Sequence, residues 1–266
     1  MADFYSSMRI VWKTVFFRIV LVLLVLMAIT VFMSGFFSGR QPATVALDVG
    51  ISIVRLVLPF FIVMLVHELF GREFERRLYL NSLTYPRGRG GFLCSRFVTV
   101  LIVLIFVASL LFLLVGILVW LISGWYEQST KVDLGVGYLV VAGFVLLDAL
   151  VVSSFALLLS VYASSSSFVL FSTLGFVISS RSFGSIVEML ERDSSLGFGV
   201  EGYSVGLELL HCLLPDLGAL DVRMIALYGS FEFFPDDWAM IVLNCLSYTL
   251  LLLLISVAIL RRKRFE

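Results

Sequence analysis

Long apolar stretches separated by short polar ones dominate the chain. Five of them, 19–37, 49–66, 97–122, 138–161 and 238–260, approach or exceed the roughly 20 residues with which an α-helix crosses about 30 Å of hydrocarbon. A sixth stretch, 168–178, is shorter and reaches spanning length only if the serines at 164–167 and 179–180 are counted into the helix. The pattern therefore predicts an all-α integral membrane protein with six transmembrane helices in one domain, 1–266.

Ahead of the first span, Phe4, Tyr5, Met8, Val11, Trp12, Val15, Phe16 and Ile19 fall within an arc of roughly 140° at the helical period. Asp3, Ser6, Ser7, Arg9, Lys13 and Thr14 lie opposite. Residues 1–18 are therefore expected to form an amphipathic interfacial helix; the alternative is a plain extension of the first span. A secretory leader is not expected, because the first apolar stretch is longer than the roughly 7–15 residues of such a segment and no A-x-A-like site follows.

Composition agrees with the pattern: 61% of residues are hydrophobic and 14% charged, a balance outside that of soluble domains. Lys plus Arg and Asp plus Glu both total 19, so net charge gives no reason to expect a nucleic-acid partner. Position is more informative, since basic residues collect in cytoplasmic loops. With six spans and the N-terminus inside, 13 of the 19 basic residues fall on inner segments: Arg9, Lys13, Arg18, Arg72, Arg76, Arg77, Arg87, Arg89, Arg96, Arg261, Arg262, Lys263 and Arg264. Arg40, Lys131, Arg181, Arg192 and Arg223 fall on outer segments. Both termini are thus expected in the cytoplasm, in a cell (inner or plasma) membrane surrounded by lipid. Cys94, Cys212 and Cys245 fall in different compartments of this topology and imply no disulfide framework.

Two extra-membrane segments stand out. In 67–96, Glu68, Arg72, Glu75 and Arg76 recur at helical spacing, predicting a cytoplasmic continuation of the second span. Pro86, Gly88, Gly90 and Gly91 then predict a turn. The other segment, 181–237, carries ten acidic and three basic residues with an apolar stretch at 205–214 too short to span.

The first segment and the six-span layout resemble the permease subunits of ABC-2 type exporters, including those linked to copper-enzyme maturation. The resemblance rests on Glu73, Leu78, Leu80, Leu83, Pro86 and Arg89, with Arg96 seven residues on where the family has Lys. The chain departs from the family upstream, where Arg76 and Arg77 replace Gly-Thr and the run from Leu78 to Pro86 is one residue longer. What the resemblance implies is a non-catalytic transport subunit without cofactors of its own. A separate ATP-binding subunit, carrying ATP and Mg, would dock on Leu78, Leu80, Leu83, Tyr85, Pro86, Arg87 and Arg89. The six spans would pair with a second permease copy or homologue. Short re-entrant or surface helices are expected between spans five and six. The chain has no G-x-x-x-x-G-K-[ST] phosphate loop, so nothing in it would cradle nucleotide phosphates.

Asp48, Arg55 and Asp148 are charges within apolar stretches, where ionisable groups are costly. Asp48 and Arg55 are two turns apart and share a helix face. They are expected to pin helices together as a buried ion pair, with Arg55 facing Asp148, or alternatively to line a substrate route. The runner-up to a permease is a membrane scaffold or signalling subunit; a membrane hydrolase comes third. For the last, His67-Glu68 lacks a second histidine one turn on, Gly71 standing there. The 202–206 match to G-x-S-x-G has no room for the sheet that a nucleophile elbow requires. His211, Cys212, Met189 and Met224 are soft donors that could be assembled into a copper site only if they converge.

Overall fold

The computed structural model describes residues 16–71, 89–125, 132–163, 165–193 and 215–262. Among these, all regular structure is helical: α1 (Phe16–Phe37), α2 (Pro42–Val66) running into a π-helical turn (His67–Gly71), α3 (Arg89–Ser123), α4 (Val136–Tyr162), α5 (Ser166–Asp193), α6 (Arg223–Tyr228), a 3-10 turn (Phe231–Phe233) and α7 (Trp238–Arg262). All but α6 and the two short turns are long and apolar enough to cross a membrane, six helices in total, making this a multi-pass membrane protein.

Local chemistry sets several of the ends. Pro42 occupies the first turn of α2, where its missing N–H costs nothing. The Asp133 carboxylate accepts from the Gly135 and Gly137 amides, both at 2.8 Å, and satisfies the free donors at the start of α4. Gly229, at φ 63°, ends α6 in the left-handed conformation that favours glycine.

Two boundaries differ from the sequence reading. The fifth span does not stop at residue 180: α5 continues through Arg181 to Asp193, because Arg181 is neutralised inside the bundle by Asp148. The outer segment consequently begins after α5, and Arg181 no longer counts among the basic residues outside the spans. Helix runs past the second apolar stretch to Gly71, in the direction that the Glu68–Arg76 spacing predicts, but it resumes as early as Arg89, so Gly90 and Gly91 lie in helix and not in the expected turn. Arg96 lies inside α3, buried, with its guanidinium donating to the Leu69 carbonyl and resting 4.8 Å from the Phe92 ring centroid. It pins the start of α3 to the end of α2. At 35 residues α3 is about 52 Å long and overshoots the hydrocarbon. The proposed amphipathic segment, apart from the start of α1, lies outside the described residues.

α2 and α4 form the centre. α2 packs against α1, α3, α4 and α5, and α4 also against α5 and α7. Leu47, Ile51 and Val54 of α2, Val115 and Val119 of α3 and Val151 of α4 are fully buried. Leu21, Val25 and Ile29 on α1 and Leu243, Leu250 and Leu254 on α7 are exposed, an outward apolar surface matched to lipid rather than water.

Candidate functional site

Residues 215–228 fold against the bundle between α5 and α7, and their apolar side chains explain why. Leu217, Leu220, Val222, Ile225 and Ala226 are buried. The Leu217 amide donates to the Ser180 carbonyl at 3.2 Å, and the Asp133 amide donates to the Ala226 carbonyl at 3.0 Å. Glycines permit the close approach: a Cβ at Gly218 would lie 2.8 Å from the Arg181 carbonyl oxygen, and one at Gly184 would lie 2.5 Å from Asp216 Oδ2.

This segment brings two charges to the three anticipated in the spans, and α5 brings another. Arg55 Nη1 lies 2.5 Å from Asp221 Oδ2 and its Nε 3.9 Å from Asp148 Oδ2. Arg181 Nη2 is 2.5 Å from that same Asp148 oxygen. Arg223 joins Asp48 at 2.9 Å to Asp221 at 3.4 Å. It also donates to Ser52 Oγ at 2.7 Å. Asp48, Ser52 and Arg55 are spaced at i, i+4 and i+7, so one face of α2 presents all three.

The expected Arg55–Asp148 pair thus exists only at the outer limit of an ion pair, and each member has a nearer partner. Three arginines and three aspartates form one chain of contacts with no net charge. Its depth is notable for an ionic cluster: Arg55 is the fourteenth of the 25 residues of α2, and Asp148 the thirteenth of the 27 of α4. At 1.5 Å per residue, Arg55 is about 20 Å from one end of its helix and about 17 Å from the other.

A proline accounts for part of the wiring. Pro59 stands four residues after Arg55 within α2 and lacks the N–H that would bond the Arg55 carbonyl. Arg181 Nη2 donates to that carbonyl at 3.0 Å, while Arg55 Nη2 donates in turn to the Leu217 carbonyl at 3.2 Å. Among the described residues satisfaction is incomplete: Asp148 Oδ1, Asp221 Oδ1, Arg181 Nε and Ser180 Oγ are buried without a hydrogen-bond partner. Such a cluster adds little net stability over an apolar replacement, and what it contributes is fixed geometry between α2, α4, α5 and the 215–228 segment.

Asp48, Arg55 and Asp148 are therefore brought into one network, joined by Arg181, Asp221 and Arg223, which the hydropathy pattern did not single out. Of the anticipated docking residues, Arg89 is the first residue of α3. Leu78, Leu80, Leu83, Tyr85, Pro86 and Arg87 lie outside the described residues, as do Ser204, His211 and Cys212. Met189 and Met224 are exposed, and among the described residues no group of three or more His, Cys, Asp and Glu gathers as a metal site. Compared with known proteins, the chain matches no family model and no curated protein.

Proposed function

We propose that the chain is the membrane-spanning permease subunit of an ABC-2 type exporter, driven by ATP hydrolysed in a separate ATP-binding subunit and paired with a second permease copy or homologue. The observation that carries this reading is the 215–228 segment, which follows the fifth span and is tied by charge to the middle of α2. A segment re-entering from the outer side to cap a transport path, as the family resemblance implies, would make such contacts. The loop resemblance at Leu78, Leu80, Leu83, Tyr85, Pro86, Arg87 and Arg89 supports the same reading. Both termini are then cytoplasmic, the chain performs no catalysis itself, and ATP and Mg belong to the partner.

A membrane scaffold is the second reading, favoured by the neutrality of the network, which could hold helices together without ever opening. Affinity purification of the chain from its native membrane distinguishes the two. An ATP-binding cassette protein recovered in comparable amount is the result expected of a permease. Recovery of the intact chain without any such ATPase would favour the scaffold.

A further inference from the structure

α5 and α7 both pack on α4, and a cleft of about 480 Å³ opens beside α7 under the 215–219 turn. That volume is within the range of small-molecule sites. Ile241, Asn244, Cys245, Tyr248 and Leu251 of α7 face it along a single stripe, with Pro215, Asp216 and Ala219 on the other side. Tyr248 stacks on Phe176 of α5, with centroids 6.3 Å apart and planes within 6°, and Phe176 stacks at 4.0 Å on Phe155 of α4. This aromatic stack joins the three helices alongside the cleft.

Two features select what the cleft takes. Asn244 is exposed on a face of α7 that is otherwise apolar apart from Ser247, whose own hydroxyl donates to the Asn244 carbonyl at 2.9 Å, and a polar side chain on a span is costly unless it faces a partner or a polar cavity. Asp216 is the second feature. Its Oδ1 accepts from the Gly218 and Ala219 amides at 2.9 and 3.3 Å. Among the described residues no arginine pairs with it, since Arg55, Arg181 and Arg223 are engaged with Asp221, Asp148 and Asp48. The network is balanced and Asp216 is left as a surplus negative charge at the cleft.

We propose that this cleft binds an amphiphile with a cationic head, the head at Asp216 and Asn244 and the apolar body along Ile241 and Leu251 toward the lipid. The inference deepens the exporter reading by naming a substrate class. It rests on that reading only for the transport step, because binding requires no ATPase.

The test uses the full chain in phosphatidylcholine nanodiscs. Three photoreactive probes carry the same dodecyl chain with a diazirine and differ only in the head: primary ammonium, sulfate or an uncharged ether. The cationic probe should label the 238–251 region about tenfold more than the sulfate probe, the scale of one charge-assisted contact. Asp216→Asn keeps the oxygen that accepts from Gly218 and removes the charge. It should reduce cationic labelling to the level of the uncharged probe. Ser247→Trp, on the exposed face, should lower labelling by all three. Equal labelling by the three heads, or a cationic preference unchanged by Asp216→Asn, would overturn the proposal. So would crosslinks joining two copies through 238–251, which would make the cleft an interface. Cationic labelling without any co-purifying ATPase would uphold the site while removing the exporter reading.

Discussion

The guanidinium of Arg181 donates at 3.0 Å to the backbone carbonyl of Arg55, the carbonyl left without its helical donor by Pro59. One residue thereby answers two defects in the bundle, because the same nitrogen holds the Asp148 carboxylate at 2.5 Å. Arg181→Met should cost about 3–5 kcal/mol by leaving Asp148 with only the distant Arg55. Pro59→Ala restores the missing amide, so the double variant should be about 0.5–1.5 kcal/mol less destabilised than the sum of the two, the worth of one hydrogen bond. Thermal unfolding in detergent reads this directly; strict additivity would mean that the carbonyl contact contributes nothing.

The distances also rank the partners of Arg55. Asp221 at 2.5 Å should be coupled to it more strongly than Asp148 at 3.9 Å. In double-mutant cycles, Arg55→Gln with Asp221→Asn should show about 1–3 kcal/mol of coupling, with a smaller value for Arg55→Gln with Asp148→Asn. The reverse order would place the functional pairing within the spans and not with the 215–228 segment.

How far this arrangement could be read from the chain follows from what each residue's neighbours made unusual. Asp48, Arg55 and Asp148 are conspicuous because charge is costly within an apolar stretch. Asp221 and Arg223 belong to a polar stretch, where charge is unremarkable, and only tertiary folding carries them to α2. Arg181 was hidden by the serines that precede it, which made the fifth span seem to end early. A signal did exist in Pro59: a proline within a span frees a carbonyl four residues back, at Arg55, and so calls for a donor. The six spans were legible for a simpler reason, that bilayer thickness fixes helix length. The π-helical end of α2 and the early start of α3 were not, because glycine and proline mark a turn without fixing which residues flank it.

Topology gives the third prediction. Excluding the basic residues that lie within the six spans, Arg181 among them, nine of the remaining ones fall on the side assigned as cytoplasmic and four on the other. Cysteine-accessibility labelling should report Glu266 inside and positions just after Asp193 outside. An outward Glu266 or an inward 194–200 region would invert or break the six-span arrangement.

The last prediction concerns how energy would enter. The chain has no phosphate loop, so an exporter built from it must receive the work of ATP hydrolysis through contact with another protein. On the assigned cytoplasmic side, the long connection between spans is the one that joins Gly71 to Arg89. It combines Leu78, Leu80, Leu83 and Tyr85 with Arg87 and Arg89, the mixture of apolar anchors and polar rim used when a helix docks in a groove. Both flanks are held firmly, since Arg96 on α3 grips the Leu69 carbonyl at the end of α2, so a force on the connection would be delivered to α2 and α3 together. α2 carries Asp48 and Arg55, so a docking surface on this connection would lie one helix away from the ionic network. On the exporter reading, Leu83→Asp would put an unpaired charge in the partner's groove and should release the ATPase while the chain stays folded in the membrane. Co-purification before and after the change is the measurement. Survival of the complex in Leu83→Asp, and again in Pro86→Ala with Arg89→Ala, would locate docking elsewhere and remove the residue-level support for the exporter reading.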